Sequence, residues 1–262
     1  MRRRILCNLL LAATFLVGCD ALETAPTYGG LSIAGFNYTP YNLSRFVITD
    51  RYGNRASGGG DLPPGSGEGS LSCCYKLKGT EFTVKWEVYD ADEAIKDLYA
   101  PIKKLHKEAT IHLPRTQVEG GVGTRVLGLH FYPDDHIEFE FGTDLRGTRI
   151  FYGAIDEWLL KKQGKSFNDT MEDWVAFRRT ARIAGEGWTK YRFTNTEDLK
   201  QYVYYTLLVN PNFDQHPAVR QIIEETNGRP GAFGEAMEAL PASVVAALRR
   251  SNVEQAAPRS RP

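Results

Sequence analysis

The chain has 262 residues, of which 42% are hydrophobic and 24% are charged, and its 32 basic residues equal its 32 acidic residues in number. This composition is ordinary for a globular protein. The balanced charge argues against nucleic acid as a partner, because nucleic-acid binding calls for a strongly basic face. The length is enough for one large domain or two small ones.

The N-terminal segment has the three-part layout of a bacterial export signal. Three arginines precede an apolar run that ends at Val17, and the small residue Gly18 precedes Cys19. The run is shorter than the roughly 20 apolar residues that cross a bilayer. The stretch LVGC resembles the lipobox of bacterial lipoproteins, whose cysteine receives a diacylglycerol and becomes the new N-terminus. The resemblance implies a signal peptide over residues 1–18 and lipid attachment at Cys19, and an ordinary cleaved signal is the alternative.

Asp20 directly follows the expected anchor and resembles the sorting signal that keeps enterobacterial lipoproteins in the inner membrane. We therefore expect a periplasmic protein attached to a bacterial membrane through its N-terminal lipid, with the inner membrane favoured and the outer membrane open. Without residues 1–18 the chain keeps 29 basic against 32 acidic residues, or about three net negative charges. Residues 19–30 are expected to form a tether, and the stretch after Cys19 reaches about 35 Å at most when extended.

The other cysteine feature is the adjacent pair Cys73 and Cys74. Thiols in an oxidising periplasm are expected to pair where the geometry allows it, but neighbouring side chains on a strand point to opposite faces. Two alternatives therefore remain: a vicinal disulfide, or two thiols that pack separately. The pair lacks the Cys-x-x-Cys spacing of a redox enzyme.

A β-rich domain is predicted over residues 31–153. LSIAGFNY and RFVITD are short β-branched and aromatic runs, and the turn-like DRYGN closes the second. The glycine-, proline- and serine-rich residues 57–70 predict a loop that buries no core. EFTVKWEVYD alternates between apolar and polar residues, which predicts a half-buried strand of an antiparallel sheet.

The segment RVLGLHFYPDDHIEFEF alternates on both sides of a turn at Pro133, Asp134 and Asp135, which predicts a β-hairpin. Before it, residues 90–109 have apolar residues at helical spacing, but Pro101 interrupts them. A broken helix or a long inserted loop is expected there.

Helices are predicted over residues 154–252. The second of them is expected to begin at an Asn168 or Asp169 cap and to pack Trp174, and the third at a capping box of Thr194 and Glu197. Residues 253–262 are expected to be a disordered tail. The fold class that follows is α+β: an antiparallel, sandwich-like β module followed by a C-terminal helical module.

The densest cluster of polar side chains lies in the predicted hairpin. Imidazole and carboxylate groups suit zinc, but His136, Glu138 and Glu140 alternate with apolar residues and are expected to line a solvated face. We therefore predict no metal site and interpret the cluster as a charged surface that steers a partner. The candidate partner-binding residues are Asp134, Asp135, His136, Glu138 and Glu140.

Catalytic patterns are weak in the sequence. Gly65-Ser66-Gly67 lies in a predicted loop, without the strand and helix that flank a nucleophile elbow. The histidines are scattered. The sequence therefore predicts no catalytic residue, no cofactor and no enzymatic activity.

Several segments together resemble a family of bacterial lipoproteins that is built on a domain of unknown function and found beside type VI secretion lipase effectors. They are the lipobox at Cys19, AGFNYTPYNLSRFVI, the glycine-rich loop before SLSCCYKL, FTVKWEV, and ATIHLPR followed by LGLHFYPDDHIEF. They cover most of the β module, and the cysteine pair before a tryptophan-bearing strand is the most specific part. The resemblance to this family does not cover the helical module well.

The resemblance implies an immunity protein. Such a lipoprotein neutralises a phospholipase-type toxin when a sister cell delivers it, so the implied partner is a cognate lipase. The alternative is a structural or adaptor lipoprotein of the envelope that binds another secreted or cell-wall component.

Overall fold

A computed structural model describes residues 25–66, 72–116, 121–122, 124–143, 149–164 and 172–256. In these ranges eight strands form two four-stranded sheets, and most of the helices follow them in the chain. The predicted α+β class, with a β module before a helical module, is confirmed. The expected signal and anchor, including Cys19 and Asp20, lie outside the described residues.

The strands fill the first part of the described chain. They are β1 (Thr27–Asn37), β2 (Asn42–Asp50), β3 (Arg55–Leu62), β4 (Ser72–Lys78), β5 (Glu81–Tyr89), β6 (Leu105–His112), β7 (Arg125–Phe131) and β8 (Ile137–Gly142). The first strand starts inside the predicted tether, because Thr27 and Tyr28 pair with the end of β4.

Two sheets build the β module. Sheet 1 has the strand order β4-β1-β7-β8, and sheet 2 has the order β3-β2-β5-β6. Neighbouring strands run antiparallel except β1 and β7, which run parallel. The prediction of antiparallel pairing is wrong for that one pair. A parallel pair needs a long connection, and all of sheet 2 lies between these two strands in sequence.

The inner faces of the sheets form one apolar core, as the alternation predicts. Phe131 of β7 packs against Phe46 of β2 and Trp86 of β5, with ring centroids 5.1 and 5.7 Å apart. Phe82 and Val84 of β5 are almost fully buried beside them. Each such side chain contributes about 1.5–3 kcal/mol by leaving water, so this core holds the two sheets together.

The predicted loop over residues 57–70 is wrong in its first part, because β3 includes residues 57–62. Gly58 pairs with Phe46 of β2, and a Cβ atom at Gly58 would lie 2.5 Å from the Phe46 ring. Gly59 has a positive φ of 116°. The glycines therefore make room for a core ring and a bend in an edge strand, although their composition is typical of a loop.

The predicted broken helix at residues 90–109 is a one-turn helix, a loop and a strand. Helix α1 covers Ala91–Ala94, residues 95–104 form the loop, and Leu105 begins β6. The expectation of a long inserted loop is therefore confirmed, and the apolar residues at helical spacing do not form the face of a helix.

The remaining helices form the C-terminal module. They are α2 (Tyr152–Gln163), α3 (Asp173–Tyr191), α4 (Thr196–Leu208), α5 (Pro217–Thr226), α6 (Ala232–Glu238) and α7 (Ala242–Ala256), with a short 3-10 helix at Phe213–Gln215. Helix α7 continues four residues into the predicted disordered tail. Residues 257–262 lie outside the described ranges.

Two helix starts differ from the prediction. Helix α3 begins at Asp173, with Glu172 as its N-cap residue, and the expected caps Asn168 and Asp169 lie outside the described residues. The sequence predicts that Trp174 packs in the core, but this residue on the first turn of α3 is 43% exposed. Helix α4 is capped by Asn195, whose side chain accepts a hydrogen bond from the backbone N–H of Glu197 at 2.8 Å; the predicted cap is one residue off.

The helices pack on the outer face of sheet 1, so both modules share a second core. Ala34, Phe36 and Val126 from the sheet belong to the same buried cluster as the helical residues. Tyr132, just after β7, stacks on Trp188 of α3 with ring centroids 4.9 Å apart. This packing places the outer face of the hairpin beside α3.

Candidate functional site

The hairpin of β7 and β8 carries the five residues predicted to bind a partner. Tyr132 N donates to the His136 carbonyl at 2.9 Å, and Asp135 N donates to the Tyr132 carbonyl at 3.1 Å. These hydrogen bonds close the turn and place Asp134 and Asp135 at its tip. Asp135 has a positive φ of 67°, which aspartate adopts more readily than most residues. The other three residues lie on one face of the hairpin: His136, Glu138 and Glu140.

Both aspartates at the turn form ion pairs with neighbouring elements. Asp134 Oδ2 lies 3.0 Å from Arg192 Nη1, just after helix α3. Asp135 binds the ammonium group of Lys107 on β6. Their side chains are nonetheless 27% and 48% exposed, so the turn is held in place while it presents carboxylate oxygens to solvent.

Arg149 forms ion pairs with two carboxylates of β8. It forms an ion pair with Glu138, and its Nη2 lies 3.2 Å from Oε2 of Glu140. His136 Nε2 lies 3.1 Å from Glu138 Oε1, and its ring stacks on Tyr132 at 4.6 Å. The sequence did not single out Arg149, because it lies outside the hairpin and only the folded chain brings it to this face.

A buried polar chain runs beneath this cluster. The Arg149 backbone N–H donates to the Tyr38 hydroxyl at 2.8 Å, and that hydroxyl lies 3.0 Å from Nδ1 of His130. On the other side of the ring, His130 Nε2 lies 3.0 Å from Glu140 Oε2. The His130 side chain has no exposed surface. The chain connects β1, β7 and β8 across the outer face of sheet 1.

The contacts of His130 fit a neutral ring. The pKa of His130 is lowered to about 4, chiefly by burial and also by the charge of Arg149, while Glu140 opposes the shift. The Tyr38 hydroxyl can donate to Nδ1 if the ring proton is on Nε2, where it donates to Glu140. Burial also raises the pKa of Tyr38, so both groups stay uncharged at neutral pH.

The predicted alternation of the hairpin is confirmed, but the face it was expected to expose is solvated only in part. Leu127 pairs with Phe141, and Leu129 pairs with Phe139, so the polar side chains share the other face as expected. That face turns toward α3 and Arg149. As a result Glu138 and Glu140 keep only 41% and 32% of their side-chain surface exposed.

The cluster contains groups that suit a metal ion, but Arg149 binds two of its carboxylates. Among the described residues, no three histidine, cysteine, aspartate or glutamate side chains are arranged to hold a metal ion. Ser66 of the Gly-Ser-Gly segment donates its hydroxyl hydrogen to the Pro63 carbonyl at 2.7 Å. What the hairpin offers a partner is a set of partly exposed carboxylate acceptors held in fixed positions.

A second feature, which the sequence reasoning missed, is the exposed loop between α1 and β6. We call residues 95–104 the apolar loop. Leu98 is 80% exposed and Tyr99 is fully exposed, while Ile95 and Ile102 are 45% and 49% exposed. Their spacing indicated a helix with a packed face, but Pro101 prevents that helix and the side chains stay in solvent.

The turn that carries Asp134 and Asp135, which we call the acidic turn, lies at the same end of the sandwich as the apolar loop. Tyr28 of β1 lies beside Phe82 of β5, with ring centroids 6.5 Å apart, and marks one end of the sandwich. We call it the tether end, since β1 begins there. Tyr89 and Leu105, which flank the apolar loop, mark the opposite or far end. Lys107 on β6 binds Asp135, so the acidic turn also belongs to the far end.

The structure joins Cys73 and Cys74 through a vicinal disulfide across a cis peptide bond. Both residues are exposed on the edge strand β4. Of the two alternatives that the sequence left open, the structure has the disulfide.

Comparisons of the chain with models of protein families, with curated protein sequences and with solved structures found no match. No helix in the described ranges is long and apolar enough to cross a membrane.

Proposed function

We propose that this chain is a lipid-anchored periplasmic immunity protein, which binds a cognate lipase of a type VI secretion system and neutralises it by direct occlusion. Two features of the sequence support the proposal. The LVGC stretch that ends at Cys19 resembles a lipobox, and the segments of the β module resemble a lipoprotein family found beside such lipases.

The observation that carries the proposal is the separation of the two ends of the sandwich. The described fold begins at the tether end, only eight residues after Cys19 when counted to Thr27. An extended segment of that length reaches about 28 Å at most. The tether end therefore stays within about 28 Å of the expected anchor, and the apolar loop and the acidic turn lie at the other end of the sandwich.

The chemistry of the far end suits protein binding. It combines exposed apolar side chains with partly exposed carboxylates of Asp134 and Asp135. Apolar and aromatic anchors dominate binding energy, and charged groups around them steer the encounter. Because ion pairs already hold both aspartates in place, little side-chain freedom is lost when a partner binds.

Occlusion requires a stable interface. A specific complex buries about 1,600 Å² in total, and tight inhibitors reach high affinity at that size. A tethered inhibitor is also concentrated at the membrane surface, where a lipase meets its substrate. The proposal therefore needs one-to-one binding and no catalytic turnover by this chain.

The test measures protection of cells that export the adjacent-gene lipase to their periplasm. The chain should preserve viability, and the double variant D134N/D135N should bind the lipase more weakly and protect less. The matched control is E224Q/E225Q, which changes two adjacent exposed glutamates on α5. Full protection by a variant that no longer binds the lipase would contradict neutralisation by binding, and no protection by the parent chain would favour the adaptor alternative.

A further inference from the structure

The sandwich is linked along one side and open along the other. On the linked side, the hydroxyls of Ser57 on β3 and Tyr75 on β4 lie 3.0 Å apart. The edges of the other side are β6 of sheet 2 and β8 of sheet 1. Ala109 and Ile111 of β6 and Phe139 of β8 pack against the core there but are only half-buried. Within the described ranges, the apolar core therefore reaches solvent along this side.

Strand β6 is the most regular edge of the two sheets. It pairs with β5 over eight consecutive residues without a register shift, and no described strand lies on its other side. The other edges are interrupted or short, because β3 and β4 both contain register shifts and β8 has six residues. Such features, and lysines that point inward, keep sheet edges from pairing. Lys107, the lysine within β6, is already bound by Asp135.

One hydrogen bond shows which backbone groups of β6 point outward. The backbone N–H of Leu113 donates to the Thr80 carbonyl at 2.7 Å, in the register that continues the pairing of β5 with β6. Residues that bond to the neighbouring strand alternate along an antiparallel pair. The odd-numbered residues of β6 therefore bond to β5. The even-numbered ones direct their N–H and C=O groups away from it, and their side chains are exposed: His106, Glu108, Thr110 and His112.

The charges of β6 select a register for pairing with a second copy of this strand. Two copies related by a two-fold axis perpendicular to the sheet run antiparallel, so one residue lies opposite itself. The registers with the longest overlap are centred on Glu108, Ala109 or Thr110. A centre at Glu108 places like charges opposite each other, which is destabilising. A centre at Ala109 forms no pair of opposite charges and places Lys107 opposite Ile111.

We propose that two copies of this chain pair through β6, antiparallel and with Thr110 opposite Thr110, so that their four-stranded sheets 2 form one continuous sheet. In this register Glu108 lies opposite His112 of the second copy, and Ala109 lies opposite Ile111, on both sides of the axis. The outward backbone groups of Glu108, Thr110 and His112 gain partners, and the half-buried apolar side chains are covered. The inference does not depend on the proposed function.

This self-association is expected to be weak. A single pair of edge strands buries less surface than the roughly 1,200–2,000 Å² of stable complexes. We therefore expect a dissociation constant of about 10–100 µM. The chain is then monomeric in dilute solution and pairs where it is concentrated, as attachment to a membrane would do.

The first test is cross-linking of the full chain, produced in cells with its own leader. T110C places two thiols opposite each other at a Cα separation of about 5.5 Å, which a disulfide can span. The matched control H106C changes a side chain that is 74% exposed on the same face, but its two copies would lie about 26 Å apart. T110C should form a dimer on a non-reducing gel, with a peptide that links position 110 to itself, and H106C should not. Equal dimer formation by both variants, or none by T110C, would overturn the inference.

The second test removes one outward backbone donor. In the described ranges the N–H of Thr110 points away from β5, so T110P deletes a donor that the single chain does not use, as proline does on edge strands. The matched control T110A keeps this N–H. Both variants should melt within a few degrees of the parent in dilute solution.

Sedimentation of the purified full chain in detergent, over a range of concentrations, measures the association. The parent and T110A should dimerise alike, and T110P should need at least about ten-fold higher concentration, because it loses hydrogen bonds on both sides of the axis. Association of T110P like that of the parent would overturn the inference. If the parent stays monomeric and T110P instead binds a lipase more weakly, the edge receives a strand of another protein and the inference is wrong.

Discussion

At the scale of single residues, His130 is the most informative position. It lies on β7 with no exposed side-chain surface, between the Tyr38 hydroxyl and the Glu140 carboxylate. Its environment favours the neutral ring, so protonation must disrupt this polar chain. The stability of the protein should depend on pH for this reason.

The predicted direction follows from the pKa of His130 in the two states. The pKa is about 6.5 in the unfolded chain and is lowered to about 4 in the folded protein, chiefly by burial. Between these values the unfolded state binds more protons, so stability falls as the pH decreases from about 6.5 toward 4. Urea unfolding at pH 6.8 and pH 4.8 should show a loss of roughly 1–2 kcal/mol from this group.

The matched variants for this prediction are H130N and H112N. H130N should have a flatter dependence on pH over the same interval, whatever its stability at neutral pH. H112N changes a histidine whose side chain is 74% exposed and should keep the parent profile. An unchanged slope in H130N would show that the titration of His130 does not control stability in this range.

The residue scale also shows why the candidate site was only partly predictable. The alternation around the hairpin places His136, Glu138 and Glu140 on one face, because period two is a local property of a strand. Tyr38 and Arg149 are distant in sequence from His130, and only the folded chain brings them to it. The local sequence pattern therefore predicts the carboxylates of this face but not the residues that bind them.

At the scale of elements, the strands with clear alternation were predictable and the others were not. Strand β5 and the hairpin were predicted, since one face of each is buried. Strand β3 was missed, because nothing local reveals that Gly58 faces the Phe46 ring. Strand β6 was missed, because most of its side chains are exposed or half-buried and show no apolar alternation.

The link between α1 and α3 gives a prediction at this scale. Asp92 binds Arg178, whose side chain is only 9% exposed. Oδ2 of Asp92 also lies 2.5 Å from Nη1 of Arg182. Although burial opposes ionisation, the two arginines hold the pKa of Asp92 below its usual value. Asp92→Asn should lower the free energy of unfolding by about 2 kcal/mol, because it leaves Arg178 without a charged partner.

The matched control is the neighbouring residue Glu93. It pairs with Lys96 at 2.6 Å, but both side chains are 67% exposed. Glu93→Gln should therefore change the stability by less than about 0.5 kcal/mol in the same urea titration. Equal effects of the two substitutions would mean that the α1–α3 link does not hold the base of the apolar loop.

At the scale of the whole molecule, the start of the sandwich and the two candidate binding features lie at opposite ends. The described chain enters the sandwich at Thr27, and the apolar loop and acidic turn lie at the far end. The helices pack on sheet 1 and share a core with it, so the two modules act as one body. The sequence indicated both modules but not this shared core, which depends on long-range packing.

The expected anchor can be tested independently of any partner. Cys19→Ser should abolish labelling of the chain by radioactive palmitate and release it into the soluble periplasmic fraction. Cys7→Ser is the matched control, since it changes the cysteine within the expected signal and should leave both properties unchanged. Continued palmitate labelling of Cys19→Ser would contradict the lipoprotein assignment.

The central claim is that this chain neutralises a lipase by binding it. The most direct measurement is the affinity of the purified chain for a lipase encoded by an adjacent gene, with phospholipid hydrolysis followed in the same samples. The proposal predicts nanomolar binding and complete inhibition at one chain per lipase. No binding at micromolar concentration, or tight binding with hydrolysis unaffected, would contradict it.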